Sequence, residues 1–344
     1  MRAMREFGIG ILMTLVIAFV WLCCAQPSPT TPTPSPTTPT TYSLTTAGGT
    51  PGGVGYAIMS ATMSVASKYY PEISYTIAPG GWVGNIPRVD TGELDIAHTT
   101  VVGATLAKLQ KGPFEGKEVP QNVRGVFVDQ IEIYYYIVAR ADFPYNTVEE
   151  IAAAKYPVKV GNQAKGTLAG WLWDEVFEVC GIGEKTVLSL GGKYTRFGDW
   201  SEAASLLRDG HIDVILAVSG KKVGWLEELT AQRDVKYIGV TEETANKISE
   251  KYGLKKVVIQ PGTLSKQKDE IIGFTETGYI IANKDVPKEV IRKIVMAIAQ
   301  HSEEFKKAHS MLETFEPGPK MYEGSPFPLH PGAIEAYKEL GYMK

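Results

Sequence analysis

The sequence predicts an α/β protein of two lobes facing each other across a ligand cleft, because the chain performs one manoeuvre twice. Residues 43–58 (SLTTAGGTPGGVGYAI) are a short β-prone run that breaks into glycines and resumes as a helix. Residues 156–168 (YPVKVGNQAKGTL) repeat the order of strand, small polar loop and helix start. Downstream the match continues, NIPRVDTGELDIAHTT at residues 85–100 against ASLLRDGHIDVILAVS at residues 204–219. In each, a short helix ends at Gly92 or Gly210 and a strand follows, over residues 94–99 or 212–218. Glycine after a helix supplies the left-handed cap. Ligands of open α/β sheets gather outside the carboxyl ends of the strands, so two such mouths can share one ligand.

From its start, the chain reads as exported. Arg2 and Arg5 precede an uncharged apolar run at residues 9–22, about the length of a signal h-region. That run is shorter than the roughly 20 residues that span a bilayer. Cys23 and Cys24 follow at once. Lipidation at Cys24, cleavage after Ala25 and retention as an anchor all fit, and Cys24 is favoured because Cys23 before it is smaller than Leu22. Residues 1–25 are thus a signal or lipoprotein-like segment. Residues 26–41 are a tether, and from Pro27 onward it holds only Pro, Ser and Thr. Such a segment buries no core and extends as polyproline, giving a reach of ~45 Å at ~3.1 Å per residue.

Roughly 300 residues remain, enough for two lobes with their own cores. Net charge is −3 without a basic run, which argues against nucleic acid. Of the three cysteines only Cys180 lies beyond the leader, so no intrachain disulfide is available and packing alone stabilises the fold. The first helix carries Val54, Ile58, Ala61 and Val65 on one face, and the helix after Thr167 carries Leu168, Leu172, Val176 and Val179. Residues 131–139 (IEIYYYIVA) and 272–282 (IGFTETGYIIA) read as strands that link the lobes. A long amphipathic helix is expected over residues 288–309, and Pro331 opens a last helix over residues 332–340. Lobe I is then discontinuous, residues 42–135 plus 275–344, and lobe II is residues 136–274.

The chemistry resides in the glycine loops. Gly48, Gly49, Gly52 and Gly53 let a ligand approach the backbone, and a helix N-terminus there suits a carboxylate or phosphate. Enzyme signatures are weak. The five histidines show no HExxH spacing, no G-x-S-x-G elbow exists, and GGTPGGVG lacks both the GK[ST] of a phosphate loop and the dinucleotide spacing. His98 and His211 read as structural, and Glu227 and Glu228 as surface neighbours. No metal site and no cofactor are expected.

TAGGTPGGVGY, TGELDIA, YYYIVARADFPYNTVEEI, VKVGNQAKGT and FPLHPGAIEAYKELG together resemble the TAXI family, the extracytoplasmic solute receptors of tripartite ATP-independent periplasmic (TRAP) transporters. The resemblance runs in order over residues 42–344. It implies a periplasmic-binding-protein-like fold, two α/β lobes joined by hinge strands. It also implies a receptor that captures a small solute, usually a carboxylate such as an amino acid or dicarboxylate, by hinge closure. Delivery to a TRAP permease follows, from a position outside the cytoplasm and tethered to the membrane. Carried over residue by residue, Gly49, Thr50, Gly53 and Val54 hold one end of the ligand. Trp82 and Asn85 come from the next loop, Thr99 and Thr100 from the strand after it. Gly166 and Thr167 open the second mouth, and Ser219 and Gly220 close its matching strand. Lys165 departs from the family, where a small or polar residue is usual, and a cation there favours an anionic ligand. Glu132 and Tyr134 line the hinge, with a buried Glu132 pairing a ligand amine. Two other classes stay open: an exported α/β enzyme acting on a small anion, and a ligand-sensing receptor for a signalling partner.

Overall fold

The computed structural model describes residues 41–49 and 53–344. The expected signal segment, Cys24, the tether up to residue 40 and Thr50 lie outside the described residues. From its start the chain forms β1 (Tyr42–Ala47), α1 (Val54–Tyr69), β2 (Ile73–Ala78), α2 (Asn85–Asp90), β3 (Ile96–Thr100), α3 (Val101–Lys108) and β4 (Val123–Val128). It continues through β5 (Ile133–Arg140), α4 (Val148–Ala153), β6 (Lys159–Gln163), α5 (Leu168–Val179), α6 (Glu184–Ser189) and β7 (Lys193–Phe197). Then come α7 (Trp200–Arg208), β8 (Val214–Ser219), α8 (Gly224–Gln232), β9 (Val235–Ile238), α9 (Glu242–Tyr252), β10 (Lys255–Ile259) and β11 (Ile271–Glu276). The last elements are β12 (Gly278–Asn283), α10 (Lys288–Gln300), α11 (Ser302–Lys307) and α12 (Pro331–Glu339).

Two sheets divide these strands between two lobes. The first runs β2-β1-β3-β12-β4, with β1 parallel to both neighbours and β12 antiparallel to β3 and β4. The second runs β10-β11-β5-β8-β6-β7, with β9 on the far half of β5. Its β6 is parallel to β7 and β8, as β1 is to β2 and β3. The repeat read from the sequence is therefore a repeat of parallel βαβ trios. Every residue of β3, β8 and β12 is buried, as in strands covered on both faces. On α1, Ile58, Ala61 and Val65 face the core, as a 3.6-residue period requires. Gly92 and Gly210 follow α2 and α7 at φ 77° and 76°, where a Cβ would be strained.

The chain crosses between the sheets over residues 129–132 and again at Thr277. Boundaries set after residues 135 and 274 cut through β5 and β11. The apolar run IEIYYYIVA carries no mark of where its ladder begins. That is decided by partners far along the chain, Ser219 opposite Tyr134 and Glu276 opposite Ile133. The run 272–282 does link the sheets, most of β11 lying in one and β12 in the other. The expected helix over residues 288–309 is two helices. His301 leaves helical geometry at φ −116°, ψ 35° and stacks on Tyr69 with ring centroids 3.3 Å apart. The C-terminal α12, its N-terminus capped by the His330 ring, returns to β4, where the Tyr337 hydroxyl donates to the Val126 carbonyl.

Candidate functional site

From β1 the chain passes through α1 to β2 on one side, then through α2 to β3 on the other. The carboxyl ends of β1 and β3 thus flank a topological switch point, the place where open α/β sheets bind ligands. The second sheet repeats it, β6 leading to β7 on one side and, through α7, to β8 on the other. Many of the residues singled out above fall at these four strand ends, while Trp82 and Asn85 follow β2 and Glu132 and Tyr134 lie at the start of β5. Gly49 and Gly53 follow β1, Thr99 and Thr100 end β3, Lys165 to Thr167 follow β6, and Ser219 and Gly220 end β8.

At the first mouth, Gly53 is the extended N-cap of α1 (φ −87°, ψ 162°), and among the described residues no side chain caps the helix. The first-turn amides, beginning with Val54, therefore keep their capacity for an anion. One position later, residue 55 has no side chain. A Cβ there would lie 2.9 Å from His98 Nδ1, 3.0 Å from Trp82 Nε1 and 3.1 Å from the Gly49 amide nitrogen. Trp82 is held by its own backbone, whose carbonyl accepts from the Thr99 hydroxyl at 2.7 Å. Asn85 plays a different part from the ligand contact expected of it. Its amide donates to the Gly48 carbonyl at 2.6 Å and the His98 carbonyl at 2.8 Å, and accepts from the Gly81 amide. Fully buried, it ties together the ends of β1 and β3 and the loop carrying Trp82.

At the second mouth, Thr167 caps α5 by accepting from the Gly170 amide at 3.0 Å, and Gly166 needs its φ of 90°. Lys165 turns outward to Glu184 at 3.2 Å, with its side chain 70% exposed. Its charge is committed to a carboxylate that Arg196 also holds, at 2.7 Å. Ser219 and the buried Tyr136 hydroxyl share a hydrogen bond of 2.8 Å, and Tyr134 lies opposite Ser219 in the ladder. Glu132 is not buried: half-exposed, it pairs with Lys221 at 2.5 Å. A loop residue between sheets reaches solvent, and the lysine after Gly220 supplies the partner a ligand amine was expected to be.

The two mouths touch. A Cβ on Gly103, in the first turn of α3, would lie 3.3 Å from Cδ2 of Leu168, the first residue of α5. A Cβ on Gly220 would likewise lie 2.9 Å from Sδ of Met311, in the C-terminal part of the first lobe. Behind the cleft lie two buried acidic groups. His98 Nε2 is 2.9 Å from Asp129 Oδ2, both side chains fully buried, and Asp129 begins the first crossing. Glu276, the last residue before the second crossing, accepts from the Tyr135 hydroxyl. Burial pushes its carboxyl up to about 7. Neither carboxylate, nor the role of Gly55, was read from the sequence. His98 was read only as a structural histidine, although GGVGY and DIAH carry the two ends of the contact.

The NMT1-like family profile matches residues 46–341. Among solved structures, the chain superposes on the periplasmic binding protein BugD with a TM-score of 0.50 at 14% identity, over 88% of this chain and 98% of that one. A protein described as a periplasmic transporter gives 0.50 at 12% identity, over 87% and 94%. A TctC solute binding protein from Polaromonas gives 0.49 at 18% identity, over 87% and 96%. The fold is thus that of the periplasmic binding proteins, two α/β lobes with mixed sheets. The matched family carries the NMT1-like description rather than the TAXI one.

Proposed function

The chain belongs to the NMT1-like family, and on that premise we propose that it is an extracytoplasmic solute receptor. It captures a small carboxylate-bearing solute, an amino acid or dicarboxylate, by hinge closure and hands it to a TRAP permease of the TAXI kind. The observation that carries this reading is the meeting of two switch points at the first turns of α3 and α5. One ligand between them would contact both lobes, so its binding energy would be available only when they are together. Closure coupled to occupancy lets a membrane partner distinguish a loaded receptor from an empty one. The groups at the first mouth are chiefly donors, backbone amides and an indole N–H, which suits a carboxylate. Among the described residues no helix is long and apolar enough to cross a membrane, so tethering, if by the leader and Cys24, acts from residues before the globular unit.

Thermal shift of the purified protein against amino acids, dicarboxylates, 2-oxoacids and sulfonates tests the reading. A ligand at a hundred times its Kd should stabilise by about 2.7 kcal/mol, a rise of several degrees. Gly53→Val should abolish that rise while leaving the unliganded transition near its wild-type position, since an N-cap at φ −87° accepts a side chain. Unchanged affinity in the variant would move the site away from α1. Turnover of a candidate acid, instead of stoichiometric binding, would favour an exported enzyme.

A further inference from the structure

We propose that the cleft selects 2-hydroxy or 2-amino carboxylic acids, and that His98 Nδ1 is the acceptor that reads the hydroxyl or amino group. The proposal rests on the receptor reading above and narrows its ligand class. His98 is fully buried on β3. Its Nε2 lies 2.9 Å from Asp129 Oδ2, while Asp129 Oδ1 accepts from the Ile131 amide at 3.2 Å. With the Nε2–H donating to Asp129 Oδ2, the other nitrogen of that tautomer, Nδ1, carries a lone pair. That atom is buried and has no hydrogen-bond partner among the described residues.

Its surroundings say what a partner would be. Nδ1 faces the first turn of α1 at Gly55, and the Trp82 indole nitrogen and Gly49 amide nitrogen approach the same point. The result is one acceptor set among donors. The donors suit a carboxylate; the acceptor needs an N–H or O–H beside it. A 2-hydroxy or 2-amino acid carries both groups on adjacent carbons, whereas a sulfonate or an unsubstituted carboxylate brings no hydrogen to Nδ1. A buried acceptor left unpaired is unfavourable, so acids lacking the donor are disfavoured in the way that sites built around a hydroxyl reject its deletion. The ring is also fastened to the hinge: the Asp129 amide donates to the Gly278 carbonyl at 3.2 Å, joining the residue that begins one crossing to the residue that ends the other.

Calorimetric titration at pH 8 of wild type and His98→Gln with three matched sets tests this: propionate, lactate and alanine; succinate, malate and aspartate; glutarate, 2-hydroxyglutarate and glutamate. In the set that binds, the hydroxy or amino member should bind at least about tenfold more tightly than the unsubstituted acid. His98→Gln retains an N–H for Asp129 but places no acceptor at the Nδ1 position, and the preference should fall below about threefold. His98→Asn restores a carbonyl near that position and should recover part of it. Should His98→Gln fail to fold, ring-nitrogen NMR of the wild type decides, because saturation with the tightest acid must move the Nδ1 resonance. An undiminished preference in a folded His98→Gln protein, or an unmoved Nδ1 resonance, overturns the proposal and leaves the receptor reading standing. Binding of none of these acids overturns both.

Discussion

Burial holds the Glu276 carboxyl up at about 7, against the Thr100 hydroxyl, the Tyr135 hydroxyl and the Val102 amide, which all favour its anion. Its Oε2 has no full hydrogen-bond partner among the described residues, so desolvation prevails. The folded-state value lies above the ordinary one, so the folded protein binds this proton more tightly than the unfolded chain. The resulting stability is fully present below about 4.5 and is lost as pH rises through about 7. Glu276→Gln removes the titration. Between pH 5 and pH 7, wild-type stability should fall relative to the variant by about 1.4 kcal/mol per pH unit, and the gap should stay constant above that range. Urea denaturation of both proteins across pH 5–8 measures it, and parallel curves would mean that Glu276 keeps an ordinary carboxyl. Tyr135 titrates in the opposite sense of usefulness: burial and the Glu276 charge push its hydroxyl well above the ordinary tyrosine range, so it stays a donor throughout. Cys180 is likewise chemically quiet, its thiol pushed up to about 12 chiefly by burial.

At the scale of elements, what could be read from the sequence was what short-range chemistry determines. The β1–α1 and β6–α5 units were legible because a β-prone run, a loop of small residues and apolar helical periodicity lie within some 15 residues of one another, and the left-handed Gly92 and Gly210 marked where α2 and α7 stop. Contacts created by sheet order were not legible. His98 and Asp129 are 31 residues apart, on opposite sides of β12, and meet only because Gly278 on β12 has no side chain, a Cβ there colliding with both groups. Asn85 had the polarity of a ligand contact, yet a side-chain amide can be consumed entirely by neighbouring backbone, and here two carbonyls and one amide use it. The charge of Lys165 was visible but its direction was not, since Glu184 opens a helix that no loop motif announces. Strand boundaries at the hinge failed for the same reason: hydrophobicity runs on through Tyr134–Tyr136, while the ladder that claims them is set by β8 and β11.

At the scale of the molecule, the separation of the lobes is set partly by how closely two backbones can approach, and a pair of glycines isolates that term. Gly112 and Gly116 lie between α3 and β4, both left-handed, at φ 59° and 71°. A Cβ at Gly112 would sit 2.6 Å from the Trp171 ring on α5, in the opposite lobe, whereas a Cβ at Gly116 would meet nothing within 4 Å. Trp171 cannot easily yield, because it is packed edge-on against Tyr252 with centroids 5.0 Å apart. Alanine at either position carries the left-handed penalty of about 1–2 kcal/mol, but only Gly112→Ala also drives a wedge between the lobes. Both variants should lose similar backbone stability in denaturant, with Gly112→Ala losing somewhat more. Small-angle scattering should show a larger radius of gyration for Gly112→Ala alone, and its solute affinity should fall because closure must first expel the methyl group. Gly116→Ala should match wild type in both. If the two variants prove indistinguishable in size and affinity, the contact between Gly112 and Trp171 does not limit closure, and the hinge is governed by the two crossings and the buried His98–Asp129 pair between them.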